Sequence, residues 1–184
     1  MSKIHSIHVL PKGRDFTGKV EAGNASYQLT FSPRSVKVTD RRLVLTGNVT
    51  IKLPNGQTRK ADNVTATLLA TQGSVNSPPP VPHTLDPSLK PAIGASSDLL
   101  PITEATADLG SVGVMYLRLS ALEGKPLGIP LDLSNVQLNA RLYATSETER
   151  DLQWLYSALV QSTLGAARDE RAATGYLAEI NRIL

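Results

Sequence analysis

The chain of 184 residues contains no cysteine, which excludes disulfide bonds and thiolate metal sites. Aromatic residues are few, with two Phe, one Trp and five Tyr, so a core has to be built from aliphatic side chains. No apolar run approaches the length needed to span a membrane. The N-terminal residues have no apolar core typical of a secretory signal. We therefore expect a cytoplasmic protein by default, or a periplasmic or secreted one if a signal has been removed.

Familiar catalytic motifs are also missing. The sequence has no Gly-x-Ser-x-Gly, no P-loop, no dinucleotide-binding glycine pattern and no His-Glu-x-x-His. His5 and His8 differ in parity, so on a strand they point to opposite faces and cannot share a metal ion. The enzymatic alternative is a base at His83 oriented by the carboxylate of Asp86. We expect no cofactor and no metal, and the sequence favours a non-enzyme without deciding the question.

The net charge of +3 hides an asymmetry along the chain. Residues 1–70 hold eleven Lys and Arg against four Asp and Glu, whereas residues 71–145 and 146–184 each hold four against six. One interpretation is a basic sheet that faces nucleic acid or phospholipid. The other is a solvated strand face on which Lys and Arg prevent edge pairing. No aromatic residue interleaves with the N-terminal basic residues to stack on bases, which argues against a specific nucleic-acid partner.

The clearest local pattern predicts a β-hairpin over residues 42–70. Apolar residues alternate along its first half, as expected for a strand with one buried face. Asn55-Gly56 suits a tight primed turn, which would pair Leu45 with Ala66 near the base. The same register sets Lys60 and Asp62 beside apolar residues at the tip, so either the tip projects or a bulge shifts the register there. The alternating residues are Leu43, Leu45, Val49, Ile51 and Leu53.

Other short alternating segments predict an antiparallel sheet. Residues 4–9 fit a short edge strand, and residues 112–121 are apolar on both faces, so that strand needs a cover on each side. Apolar residues lie at odd-numbered positions before Ser134-Asn135 and at even-numbered positions after it. This change of phase predicts a bulge or a bend between sheets. The fold class is therefore mainly β (α+β): an antiparallel β-sandwich or partly open barrel of seven to nine strands, with a C-terminal helix or helix pair packed on it.

The strand pattern is interrupted by a proline-rich stretch and is later replaced by a helical pattern. Prolines crowd residues 73–101, which predicts a long loop because proline interrupts strand pairing. Ser146-Glu147-Thr148-Glu149 matches a helix capping box, and apolar residues then recur at helical spacing. We expect residues 1–145 to form the β domain and residues 146–184 to form a helical segment of the same domain. The simplest packing places this segment over strand 112–121.

Two short stretches resemble a known family. Leu45-Thr46-Gly47-Asn48-Val49 and Ala61-Asp62-Asn63-Val64 are similar to the repeating strands of periplasmic lipopolysaccharide-transport β-jelly-roll proteins. The resemblance implies a lipid-facing β-groove in a bacterial protein. The C-terminal helices and the missing leader depart from that family.

Two hypotheses about function follow, besides the enzymatic one. The first is a non-catalytic module that binds an apolar small molecule or lipid in a groove between sheet and helix, lined by Tyr116, Leu117, Leu155 and Tyr156. The second is an assembly module whose amphipathic helices, with Trp154 on the interaction surface, bind a protein partner or a second copy of the chain.

Overall fold

The computed structural model describes residues 2–73, 112–120, 122, 127–164 and 168–184. Apart from Gly73, the predicted Pro-rich loop lies outside the described residues, and so do His83 and Asp86.

The described residues form nine strands and two C-terminal helices. The strands are β1 (Ser2–Lys3), β2 (Ser6–Lys12), β3 (Asp15–Ala22), β4 (Ala25–Thr39), β5 (Arg42–Lys52), β6 (Thr58–Gly73), β7 (Val112–Leu119), β8 (Leu131–Asp132) and β9 (Gln137–Arg141). The helices are α1 (Glu147–Leu164) and α2 (Glu170–Ile183).

Seven of the strands close into a barrel in the order β2-β3-β4-β5-β6-β7-β9. Neighbours are antiparallel except β2 and β9, which pair in parallel with Ile7 opposite Leu138 and Val9 opposite Ala140. The predicted barrel is thus confirmed in outline but is closed rather than partly open, and the alternative sandwich is not what the structure shows. The prediction of an edge strand over residues 4–9 was wrong. In the closed barrel, β2 pairs with β3 on one side and with β9 on the other.

Alternation places the apolar residues of the barrel strands inside, as predicted. Leu43, Leu45, Val49 and Ile51 on β5 are all buried, as is Gly47, while the even-numbered residues between them are partly exposed. The interior is mostly aliphatic, in keeping with the scarcity of aromatic residues.

The β5–β6 hairpin has the predicted base and a different tip. Leu45 pairs with Ala66 as expected. At the tip, the amide of Gly56 donates to the carbonyl oxygen of Leu53 at 2.9 Å. The amide of Leu53 donates to the carbonyl oxygen of Gln57 at 2.8 Å. Only Gly56 of the Asn55-Gly56 pair has a positive φ, of 84°. The predicted primed turn was therefore wrong, since such a turn needs positive φ at both central residues.

Of the two alternatives predicted for the hairpin, a projecting tip or a bulge, the structure shows the register shift of a bulge. It falls between Gly47 and Val49, so that Val49 pairs with Ala61 rather than Asp62. Gly47 is required there, because a Cβ on this residue would lie 2.1 Å from the carbonyl oxygen of Ser32 on β4. The neighbouring β4–β5 ladder has its own irregularity at Pro33. Both shifts begin at the pair formed by Pro33 and Gly47.

The change of phase at Ser134-Asn135 marks the passage between two sheets. β8 pairs in parallel with β1 in a separate two-stranded sheet, whereas β9 belongs to the barrel. The amide of Ser134 donates to Asp132 Oδ1 at 3.0 Å in the turn between them. The predicted bend between sheets is confirmed.

The two helices pack against each other and against the barrel. α1 lies against β7, as predicted from the two apolar faces of that strand, and α2 lies against β4. Asn181 attaches α2 to the barrel, since its side chain accepts from the amide of Val36 at 2.8 Å and donates to the carbonyl of Val36 at 3.0 Å. An amide side chain here satisfies both backbone groups of one strand residue.

Candidate functional site

The contact between α1 and β7 is the candidate site. On β7, Met115, Leu117 and Leu119 are buried and point inward, whereas Tyr116 is half-buried and Arg118 is exposed. Because neighbouring residues of a strand point to opposite faces, Met115, Leu117 and Leu119 form the buried row of β7.

Helix α1 is buried on every side through most of its length. From Asp151 to Ser162, every residue except Gln153 is buried. A helix on a protein surface normally buries only one stripe. The buried polar residues of α1 include Ser157 and Ser162, whose hydroxyls donate to the carbonyls of Gln153 and Ala158, each at 2.8 Å. The helix thus satisfies several of its buried polar groups with its own backbone.

Two buried polar side chains of α1 are not satisfied. The hydroxyl of Tyr156 and both amide atoms of Gln161 have no hydrogen-bond partner among the described residues. Burial raises the pKa of the Tyr156 hydroxyl, so it stays protonated and can donate a hydrogen bond. Leaving a buried polar group unpaired costs about 1–3 kcal/mol.

The two unsatisfied side chains lie on different faces of α1. Trp154 contacts Tyr176 of α2 edge to face, with ring centroids 5.6 Å apart. Gln161 follows Trp154 by seven residues, so it lies on the same side, toward α2. Tyr156 follows Trp154 by two residues, which turns it by about 200°. We infer that the Tyr156 hydroxyl points toward the barrel.

Three of the four predicted groove residues are buried, and the fourth is not. Leu117 on β7 and Leu155 and Tyr156 on α1 are fully buried, and the two elements lie against each other. Tyr116 is half-buried and lies on the opposite face of β7 from Leu117. Trp154, predicted for an interaction surface, is only 3% exposed and is covered by α2. A partner could therefore reach Trp154 only if the two helices separated.

The first turn of α1 is fixed to the barrel by Glu149. The predicted capping box is present: Ser146 Oγ accepts from the amide of Glu149 at 3.3 Å, and Glu149 Oε2 accepts from that of Ser146 at 3.0 Å. Oε2 also accepts from the amide and hydroxyl of Thr145, and Oε1 accepts from the amide of Gly13 at 2.8 Å. Burial acts to raise the pKa of Glu149, but these hydrogen bonds outweigh it and hold the pKa below its usual value.

A polar cleft of about 600 Å³ opens beside this anchor. The β2–β3 turn, the start of α1 and the end of α2 enclose it. Arg14 crosses between these elements, since its Nη1 donates to the carbonyls of Ile183 at 3.2 Å and Leu184 at 2.7 Å. Sequence reasoning missed this contact because Arg14 and its partners are about 170 residues apart. The cleft is lined by Lys12, Gly13, Arg14, Asp15, Thr148, Asp151, Arg182 and Ile183.

The described part of the chain holds no cluster of three or more His, Asp or Glu side chains that could bind a metal ion. None of its helices is long and apolar enough to cross a membrane. No protein-family model matches the chain, and no curated protein or solved structure is significantly similar to it. The resemblance to lipopolysaccharide-transport proteins therefore gains no support.

Proposed function

We propose that the chain binds an apolar small molecule or lipid between α1 and the inner face of β7. The observation that carries the proposal is the Tyr156 hydroxyl, which is buried without a hydrogen-bond partner in the described structure. Leu117 on β7 and Leu155 on α1 are fully buried aliphatic side chains that would form the apolar walls. This is the usual composition of a ligand site, in which apolar walls surround a few polar groups that orient the ligand.

The ligand should carry one hydrogen-bonding group on an apolar body. Tyr156 remains protonated because burial raises its pKa, so it can donate to a hydroxyl, carbonyl or carboxyl oxygen. Leu117, Leu155 and Tyr156 are closed off from solvent. We therefore expect entry to require that α1 move away from β7, which makes association slow.

The alternative of assembly through the C-terminal helices has less support. The apolar stripe that would bind a partner is already buried in the same chain, with Leu155 and Leu159 fully enclosed and Tyr176 covered by Trp154.

Tyr156→Phe tests the proposal, since it removes the hydroxyl and keeps the ring. We expect the unliganded variant to be more stable by about 1 kcal/mol, because an unpaired buried group is removed. We expect its affinity for 1-dodecanol and dodecanoic acid to fall about tenfold, because one hydrogen bond to the ligand is lost. Urea unfolding measures the first effect, and native mass spectrometry with titration calorimetry measures the second.

Tyr143→Phe is the matched control, because Tyr143 is 66% exposed and lies outside the site. It should change neither stability nor affinity. The proposal is wrong if the wild type binds neither probe, or if Tyr156→Phe binds both as tightly as the wild type does.

A further inference from the structure

The outer wall of the barrel carries an apolar surface that the ligand site does not use. Three large hydrophobic side chains are exposed in the described part of the chain: Leu10 at 53%, Leu69 at 38% and Tyr143 at 66%. They lie on β2, on β6 and just after β9. These strands and β7 are consecutive in the barrel order β6-β7-β9-β2, so the exposed apolar residues share one side of the barrel.

The centre of this side is formed by β7, β9 and β2. Val114 on β7 pairs with Arg141 on β9. Val9 pairs with Ala140, so the next residue, Leu10, lies beside Arg141. Tyr143 follows two residues after Arg141, to whose carbonyl its amide donates at 2.9 Å. We call the outward side chains of Leu10, Val114, Arg141 and Tyr143 the outer patch.

The three central strands of this side carry charge of one sign. β2, β7 and β9 contain no Asp or Glu, whereas they carry His8, Lys12, Arg118 and Arg141. Arg118 and Arg141 are exposed and form no ion pair within the described structure. The next strand differs, since β3 carries Asp15 and Glu21 together with Lys19. An apolar surface with unpaired arginines is complementary to an acidic partner that also offers apolar side chains.

We propose that the outer patch docks an acidic, apolar segment of another protein. Strand addition is excluded as the binding mode, because each of β7, β9 and β2 is paired on both sides in the closed barrel. The partner is held by side chains: its apolar residues cover Leu10 and Tyr143, and its carboxylates meet Arg141 and Arg118. Stacking of nucleic-acid bases fits less well, since Leu10 and Val114 are aliphatic.

The test uses fluorescein-labelled peptides and the full chain in anisotropy titrations. The probe is a peptide of alternating Glu and Leu with one Trp. In one control peptide Lys replaces Glu, and in the other Ser replaces Leu and Trp. We expect the wild type to bind the Glu-Leu peptide at least about tenfold more tightly than either control, because charge and apolar contact are both needed.

Arg141→Glu should weaken binding of the Glu-Leu peptide at least about tenfold, and Leu10→Ser should weaken it severalfold. Lys19→Glu is the matched control, since it makes the same charge change on β3, outside the outer patch. It should leave affinity within about twofold. Circular dichroism verifies that each variant is folded.

Three results would overturn the proposal. Equal binding of all three peptides would show that the outer patch does not select an acidic apolar segment. Binding of oligo-dT or of phosphatidylserine vesicles in an Arg141-dependent way, without binding of the Glu-Leu peptide, would assign the patch to nucleic acid or to a membrane. A mass in solution that falls to the monomer in Arg141→Glu would assign it to a second copy of the chain.

Discussion

Helices α1 and α2 are buried to different degrees, although each begins with a side-chain cap and each carries apolar residues at helical spacing. α2 buries one stripe, made of Ala173, Tyr176 and Ile180, and leaves the opposite side in solvent. α1 is covered nearly all round between Asp151 and Ser162. The second helix is therefore a cover, and the first is a core element.

The difference lies in what each helix touches. α1 has β7 on one side and α2 on another, so few of its positions can reach water. α2 has α1 and β4 on its inner side, and none of the described residues covers its outer positions such as Ala178. It follows that a polar group has to be paired inside α1, whereas water can pair it on α2. Tyr156 and Gln161 break that requirement, which makes α1 the place to look for a ligand.

The largest effect should come from a charge placed inside α1. We expect Leu155→Asp to abolish cooperative folding, because a buried unpaired carboxylate costs about 4 kcal/mol or more. Ala178→Asp makes a comparable change on the exposed side of α2 and should cost only about 1 kcal/mol, through lower helix propensity and an unfavourable charge near the helix C-terminus. Urea unfolding followed by circular dichroism measures both variants.

The mass in solution decides between two explanations if Leu155→Asp still folds. A folded variant whose mass falls to the monomer would show that α1 packs on a second chain. A folded variant of unchanged mass would show that α1 is no more buried than α2, and the difference between the helices would disappear.

Much of the barrel could be predicted because strand alternation is local. Tyr27, Leu29 and Phe31 alternate along β4 and are all buried, as their spacing indicates. Closure could not be predicted, because β2 and β9 meet through backbone hydrogen bonds between residues about 130 positions apart. Such bonds leave no trace in side-chain periodicity.

The candidate site was predictable only in part. The helical spacing of apolar residues and the two apolar faces of β7 correctly predicted that α1 contacts that strand. The spacing does not reveal that Trp154 is covered, since the cover is Tyr176 on the second helix. It also cannot show which polar groups lack partners, because that depends on every neighbour in the folded chain. Gln161 was missed for this reason.

A smaller effect should follow from changing the anchor of α1. Glu149→Gln replaces one of the two accepting oxygens by an NH₂ group. In one orientation of the side chain this group faces the amide of Gly13, and in the other it faces the amides of Thr145 and Ser146. We expect a loss of about 2–3 kcal/mol, since hydrogen bonds to a charged acceptor are broken in a buried place. Glu147→Gln, in the same turn but exposed, is the control and should be nearly neutral.

The pH dependence should separate the same two variants. The folded pKa of Glu149 is lowered from 4.5, so its stabilising contribution is complete above that pH. It is lost as the pH falls below 4.5 through the lower folded pKa, because the carboxylate must then be protonated. The wild type and Glu147→Gln should therefore lose more stability between pH 6 and pH 3 than Glu149→Gln does. Equal losses in all three would mean that Glu149 is not held as a carboxylate.

The smallest effect should come from the cap of α2. Asp169 is exposed, and its Oδ1 accepts from the amide of Ala172 at 3.0 Å. Asp169→Ala removes that bond but keeps the backbone link in which the amide of Asp169 donates to Ser162. We expect a loss of about 1 kcal/mol, with Asp169→Ser restoring most of it, because serine also caps helices and water can reach the freed amide. Hydrogen exchange should quicken at Ala172 and stay unchanged in α1. A loss as large as that of Glu149→Gln would show that the two helix starts are equally integrated into the core.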